Sequence, residues 1–176
     1  TKRCLEHKLY SCPEPKNSFN FFFAEKPLKG VILKMETVPI SSLDEKAKQA
    51  LEQSSAIPKM YVIIRGNDFA ESVQTFKYRF EIGVMSGENV NQKTVHKRFS
   101  ELEEFDKLVR KYFKDQKIIR PFPPKKIIGS TDAEFIEQRQ AELQSYFNQI
   151  FKVPGICIFP PFLNLFELEA ELFVQA

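Results

Sequence analysis

The sequence predicts an α+β fold in which strands come first along most of the chain and helices follow. Three observations support this prediction. Apolar and polar residues alternate through residues 75–84, which is typical of a half-buried antiparallel strand. Apolar residues recur at helical spacing from residue 102, and again from residue 136. Prolines and a glycine separate these two periodic segments in the stretch RPFPPKKIIGS, residues 120–130.

The composition bounds the size and the class of the protein. The chain has 176 residues, of which 43% are hydrophobic and 18 are Phe, so a sizeable core is expected. No run approaches the ~18 apolar residues of a membrane-spanning helix, so any membrane contact is expected to be peripheral. Three cysteines (Cys4, Cys12 and Cys157) form an odd and sparse set, which fits a reducing compartment.

Charge is distributed unevenly, although the formal net charge is only +3. Residues 93–126 hold 11 Lys or Arg against 5 Asp or Glu, which is a local net charge of +6. Residues 127–176 hold 2 against 7, which is a local net charge of −5. This asymmetry indicates a local anionic partner rather than a generally basic protein.

Residues 1–57 are predicted to form an N-terminal β-β-α extension that precedes a domain at residues 58–172. Two apolar segments of the extension, FNFFF and GVILKMETV, read as strands. A short helix follows, with a capping box formed by Ser42 and Glu45, and Pro58 marks the boundary. The extension is either an extra layer on the following domain or the end of another domain.

The domain at residues 58–172 is predicted to contain three antiparallel strands and a helical subdomain. The predicted strands are MYVII (60–64), TFKYRFEIGV (75–84) and KTVHKRF (93–99). The first long helix is expected to begin at Ser100, with Glu103 completing a capping box. The second is expected to begin at Thr131, and a third follows the proline pair of PPFLNLFEL.

Two arginines are candidates for binding an anion. Arg139 falls on the apolar stripe of the second long helix, where a charge is costly unless it is paired. Its partner is either an acidic side chain of the protein or an anion from outside. Arg98 lies where the third strand meets the first helix, so an anion can reach both a guanidinium and free helix N–H groups. Phe99 follows directly and offers a flat apolar face to a sugar-like ring.

Four segments of the chain together resemble the phox-homology (PX) domain, the phosphoinositide-binding module of sorting nexins and oxidase subunits. They are KTVHKRFSELEEF, PFPPKKIIG, AEFIEQRQAELQSYFNQI and PPFLNLFEL, and they occur in the family's order. The resemblance implies a PX fold with a basic cleft between the sheet and the helices. It also implies recognition of phosphatidylinositol 3-phosphate, by which a larger cytoplasmic protein is recruited peripherally to the anionic surface of endosomal membranes.

The resemblance also implies a role for individual residues. Arg98 is expected to hold the 3-phosphate, and Phe99 to pack against the inositol ring. Lys125, or its neighbour Lys126, is expected to contact the 1-phosphate. Arg139 is expected to bind the 4- and 5-hydroxyls. The family often has Tyr where this chain has Phe99, so a hydrogen bond from that hydroxyl is lost while the ring face is kept.

Ile127 and Ile128 are adjacent isoleucines in a proline-rich loop, and such loops lie in water. They either pack back into the core or, as the resemblance implies, insert into the bilayer beside the headgroup pocket. Fully burying an isoleucine is worth roughly 1.5–3 kcal/mol, and each basic residue near an anionic surface adds about 1 kcal/mol. These contributions combined with one specific headgroup can give stable attachment. We therefore expect insertion.

A protein-interaction module is the alternative function. The spacing Pro121-x-x-Pro124-x-Lys126 has the form of an SH3 ligand, in which a polyproline helix docks on aromatic rings. Some PX domains also bind peptides in place of lipids. The presence of both Arg98 and Arg139 favours the lipid-binding interpretation.

Three further classes of function are not expected. Most aromatic residues fall at core periodicity and no RNA-binding signature is present, which argues against a nucleic-acid partner. With two histidines (His7 and His96), no nucleophile motif and no glycine-rich phosphate loop, the chain lacks a catalytic constellation. Cys4, His7 and Cys12 are irregularly spaced and have no fourth ligand nearby, so neither a metal nor another cofactor is expected.

Overall fold

The computed structural model describes residues 34–73, 75–114, 121–125 and 132–173. Its strands and helices, in chain order, are β1 (Glu36–Pro39), α1 (Glu45–Glu52), β2 (Met60–Ala70), β3 (Thr75–Ser86), β4 (Asn89–Arg98), α2 (Phe99–Tyr112), α3 (Ala133–Ile150) and α4 (Pro160–Phe166). The predicted α+β fold class is confirmed. Of the helices within the described ranges, none is long and apolar enough to cross a membrane.

The sheet is antiparallel, with its strands in the order β1-β4-β3-β2. It has four strands where three were predicted, because β1 pairs along the free edge of β4, from Glu36 opposite Gln92 to Pro39 opposite Asn89. The sequence placed β1 within the N-terminal extension. The apolar segment FNFFF, also predicted as a strand, lies outside the described residues.

One face of the sheet packs against α2, α3 and α4 and forms the main core. The alternating apolar residues of β3 lie in this core: Tyr78, Phe80, Ile82 and Val84. The ring of Phe80 makes edge-to-face contacts with Phe147 of α3 and Phe166 of α4, at centroid distances of 5.4 and 5.6 Å. The predicted alternation of apolar residues along β3 therefore identifies the sheet face on which the helices pack.

Gln144 of α3 fixes that helix on β2, the edge strand of the sheet. Its side-chain amide donates to the carbonyl of Val62 at 2.9 Å, and its amide oxygen accepts the N–H of Ile64 at 2.8 Å. The two bonds satisfy backbone groups that an edge strand would otherwise leave exposed. They also set the position of α3 along the strand.

The other face of the sheet is covered by α1 and the residues around it. Their apolar side chains form a second cluster: Leu43, Ala47, Leu51, Tyr61, Ile63 and Val90. The ring of Tyr61 crosses β3 at Gly83, where a Cβ would lie 2.3 Å from the ring, so this position requires glycine. The described part of the N-terminal extension therefore packs on the sheet.

Asp44 ties α1 to the sheet. Its carboxylate accepts the N–H of Ala47 at 2.8 Å, so Asp44 rather than Ser42 caps this helix. Arg65 of β2 donates to the same carboxylate at 2.6 and 3.1 Å, and to Glu81 of β3 at 2.9 Å. The hydrogen bond from Arg65, followed by that from Ala47, holds the pKa of Asp44 below its ordinary value.

We expect the Asp44–Arg65 pair to contribute stability that depends on pH. Because folding lowers the pKa of Asp44, its contribution is present above the ordinary value of 3.8 and is lost as the pH falls through the folded-state pKa. Asp44→Asn keeps a capping oxygen but loses the charge. It should lower the free energy of unfolding by roughly 0.5 kcal/mol near neutral pH, since an exposed pair is screened by water.

Urea unfolding near neutral pH and at about pH 2 measures this contribution. The difference between Asp44→Asn and the unsubstituted protein should disappear at the lower pH. Asp44→Ala is the matched control, because it also removes the cap and should cost about 1 kcal/mol even in acid. Identical unfolding of Asp44→Asn and the unsubstituted protein near neutral pH would show that the ion pair contributes nothing.

Candidate functional site

Arg98 lies at the junction between β4 and α2. β4 pairs with β3 as far as Arg98, opposite Lys77, and the helix begins at the next residue. The N–H of Arg98 donates to the Glu101 carboxylate at 2.8 Å. The helix thus begins one residue before the predicted Ser100, and Glu101 replaces Glu103 as the acid that closes its first turn. The Nε atom of Arg98 lies 3.4 Å from the Glu101 carboxylate, and the side chain is 43% exposed at the positive end of the helix, where an anion from solution can reach it.

Arg139 of α3 is buried, with only 7% of its surface exposed. Its Nε and Nη2 atoms are inaccessible to solvent and have no hydrogen-bond partner among the described residues. None of the carboxylates in the described part of the chain lies within ion-pair distance of it. The sequence left open whether Arg139 pairs with an acidic side chain of the protein or with an anion from outside. The described residues include no such acidic partner.

Aromatic rings surround the Arg139 guanidinium. Its Cζ atom lies 4.0 Å from the ring centroid of Phe99 and 4.2 Å from that of Phe135, within the range of cation–π attraction. Tyr78 of β3 lies beside it in the core. Burial raises the pKa of Tyr78, while the nearby charge of Arg139 opposes that rise. The guanidinium is therefore held mainly by aromatic ring faces.

Phe99 joins Arg139 to the proline-rich segment. The Phe99 and Phe122 ring centroids are 5.3 Å apart, and Phe122 also contacts the Tyr146 ring edge-to-face at 5.3 Å. Phe99 therefore contacts both a guanidinium and a second aromatic ring. Its expected contact with an inositol ring stays a prediction.

The segment at residues 121–125 is anchored by Phe122 and by Pro123, which is buried. Lys125 is exposed three residues after Phe122. The structure thus brings Phe99 into contact with both Phe122 and Arg139. Arg98 directly precedes Phe99 along the chain, and Lys125 lies three residues after Phe122. Lys126, Ile127 and Ile128 lie outside the described residues.

Three residues of this site were not predicted from the sequence: Tyr78, Phe122 and Phe135. Phe135 precedes Arg139 by four residues, a spacing that makes neighbours on a helix, so this contact could have been predicted. The contacts of Tyr78 and Phe122 join segments that are distant along the chain. No local pattern identifies them.

Lys93 and Lys97 of β4 belong to the locally basic segment at residues 93–126, but their side chains form bonds inside the fold. Lys93 donates to the backbone carbonyl of Glu167, and Lys97 donates to its carboxylate at 2.9 Å. Glu167 follows the last turn of α4, where the helix dipole favours cations. Burial lowers the pKa of Lys93. These two lysines therefore hold α4 against the sheet.

Comparison of this sequence with known proteins identifies its family. Residues 85–168 match the sequence model of the PX domain family. The mouse PX domain-containing protein kinase-like protein is 33% identical over 128 residues, or 73% of this chain, and its rat counterpart is 32% identical over the same length. The chain spans 17% of the length of these relatives. The crystal structure of the mouse SNX19 PX domain with bound sulphate ion aligns at a TM-score of 0.49 and 18% identity, over 62% of this chain and 97% of that one.

This chain belongs to the PX domain family, as its four characteristic segments predicted. The family is in general a non-catalytic, lipid-binding module. Membership supports phosphoinositide binding and peripheral recruitment to membranes.

We expect replacement of Arg139 by an apolar residue to leave the fold intact. Arg139→Leu removes two buried donors that have no partner in the described structure, and this gain offsets the lost contacts with Tyr78 and the rings. The free energy of unfolding should change by no more than about 1 kcal/mol. Urea unfolding measures the change.

Arg65→Leu is the matched control for this experiment. Arg65 is bonded to both Asp44 and Glu81, so its loss leaves the partly buried Glu81 carboxylate without this partner. The control should lower the free energy of unfolding by about 2 kcal/mol. An equal loss in Arg139→Leu would assign Arg139 a structural role.

Proposed function

We propose that this chain recognises phosphatidylinositol 3-phosphate and recruits a larger protein to endosomal membranes. The observation that supports this proposal is the buried guanidinium of Arg139, with two N–H-bearing atoms that no described residue satisfies. A buried donor without a partner costs free energy, and a ligand bearing hydroxyls or phosphate would recover it. We further propose that the chain acts by binding and catalyses no reaction.

Each headgroup contact in this proposal has its own residue. The exposed guanidinium of Arg98 holds the 3-phosphate at the start of α2, and Arg139 binds the 4- and 5-hydroxyls. Phe99, which contacts Arg139, packs against the inositol ring. Lys125 contacts the 1-phosphate, with Lys126 as its alternative. The cations of Arg98 and Lys125 and the buried N–H donors of Arg139 would thus surround one inositol ring.

In this proposal the PX domain extends over residues 58–172, and residues 1–57 form an N-terminal extension. The contacts of α1 and β1 with the sheet support the interpretation that the extension adds a layer to the domain. That layer covers the sheet face opposite the helices. We propose that its contribution is to stability rather than to lipid recognition.

Arg98 should be required for binding. A charge-assisted contact with phosphate is worth roughly 1.5–3 kcal/mol, so Arg98→Ala should weaken binding by about tenfold or more. Flotation with vesicles that contain phosphatidylinositol 3-phosphate, compared with vesicles that lack it, measures the effect. The thermal midpoint should change little, because the ion pair between Arg98 and Glu101 is partly exposed and the helix-closing hydrogen bond comes from the backbone N–H.

Lys107→Ala is the matched control, because Lys107 is an exposed cation of α2, the helix that Arg98 precedes, and it pairs with Glu104. It removes one positive charge while leaving the proposed headgroup contacts in place. Equal binding by Arg98→Ala and Lys107→Ala would contradict the role of Arg98. A protein that binds both kinds of vesicle equally would contradict the proposed lipid.

We propose that Ile127 and Ile128 insert into the bilayer. Changing both to Asn should then weaken binding to vesicles while barely altering affinity for a soluble, short-chain headgroup, because insertion depends on apolar area alone. If these isoleucines instead pack in the core, the double substitution should destabilise the domain by several kcal/mol. The measurements are vesicle affinity, soluble-headgroup affinity and the melting temperature.

A matched control comes from two other exposed isoleucines. Ile57 and Ile158 are 84% and 61% exposed, and changing both to Asn makes the same chemical substitution elsewhere on the surface. This control should keep the affinity for vesicles. Parallel losses for both ligands in the Ile127/Ile128 variant, or a large fall in its melting temperature, would refute insertion.

An SH3-type partner is the second candidate. Pro121 and Pro124 are exposed while Pro123 between them is buried. In a polyproline helix of three residues per turn, Pro121 and Pro124 would share one face, and Lys126, the basic residue of the motif, lies outside the described residues. The flotation experiment separates the candidates, because an SH3 ligand has no requirement for phosphatidylinositol 3-phosphate.

A further inference from the structure

Two phenylalanine rings hold the guanidinium of Arg139. Phe99 comes from the start of α2, and Phe135 lies one turn before Arg139 on α3. Both ring centroids lie within 4.2 Å of the Cζ atom. We call this pair of rings, Phe99 and Phe135, the aromatic clamp.

The clamp stabilises the charge of Arg139 without occupying its N–H groups, which a carboxylate could not do. An acidic partner accepts hydrogen bonds and would use up the N–H groups of the guanidinium. The face of an aromatic ring attracts the cation through its π electrons, whereas the N–H bonds lie in the plane of the guanidinium. The clamp can therefore stabilise a buried charge while Nε and Nη2 remain without partners among the described residues.

We propose that Phe135 is a positioning residue that, together with Phe99, holds the unpaired donors of Arg139 in place for the headgroup hydroxyls. This inference rests on the proposed lipid-binding function and adds a determinant of its selectivity. The position of Arg139 on α3 fixes its Cα atom, but it does not fix the far end of its long side chain. The clamp restricts the position of the donor nitrogen atoms. This position determines which pattern of headgroup hydroxyls they can bind.

Side-chain packing alone is the competing explanation for Phe135, and the two explanations differ in chemistry. Leucine keeps much of the apolar bulk but has no π face, whereas tyrosine keeps the ring. A packing role predicts that Phe135→Leu is tolerated at least as well as Phe135→Tyr. The clamp predicts that only the aromatic replacement preserves positioning.

The experiment measures binding of the full chain to soluble, short-chain phosphatidylinositol 3-phosphate and phosphatidylinositol 4-phosphate. Phe135→Leu should lower affinity for the 3-phosphate lipid about tenfold and reduce its preference over the 4-phosphate lipid. Phe135→Tyr should restore most of both. In an Arg139→Leu background, Phe135→Leu should cause little further loss, because the clamp acts only through Arg139. Phe135→Met replaces Phe135→Leu if the latter does not fold.

Phe151→Leu is the matched control. Phe151 is a half-buried phenylalanine at the C-terminal end of the same helix, where it packs on Phe162. It should bind both lipids as the unsubstituted chain does. Unchanged binding by Phe135→Leu alongside a loss in Arg139→Leu would overturn the clamp and leave the lipid-binding function standing, and additive losses in the double variant would also overturn it. If the unsubstituted chain binds neither lipid, the proposed function itself fails.

Discussion

The attachment of α3 to the sheet is the constraint on which the candidate site depends. Gln144 binds two backbone groups of the edge strand β2, and the Phe147 ring packs against Phe80 in the core. These two contacts fix the rotation of α3 about its own axis and its position along the sheet. Arg139 lies between one and two turns before Gln144, and it is thereby placed in the core beside Tyr78 and the start of α2.

This arrangement explains how a cation is tolerated inside an apolar core. Burying a charge without compensation is costly, and the described residues offer Arg139 no carboxylate. Two aromatic faces compensate in part, while two nitrogen atoms of the guanidinium remain unsatisfied among the described residues. Incomplete compensation of this kind is expected at a site that a ligand completes, because the ligand then gains the interactions that the protein leaves unmade.

The basic residues of the chain are divided between two tasks. Lys93 and Lys97 are buried and bind Glu167 at the end of α4, so they join the helical layer to the sheet. Arg98 and Lys125 are exposed at the ends of segments that meet around Phe99. A count of charges along the sequence detects the excess but does not distinguish these tasks. Burial distinguishes them, since a lysine inside the core is committed to its internal partner.

The sequence by itself determined the fold class, the family and the two arginines, because period-two and helical patterns and short motifs are local. The tertiary structure decided the rest. Pairing of β1 with β4 added the fourth strand, and strand pairing as far as Arg98 moved the start of α2 by one residue. The contacts of Arg139 with Phe99 and Tyr78 also join segments distant along the chain. Such contacts depend on how strands and helices pack together, and local periodicity does not encode that packing.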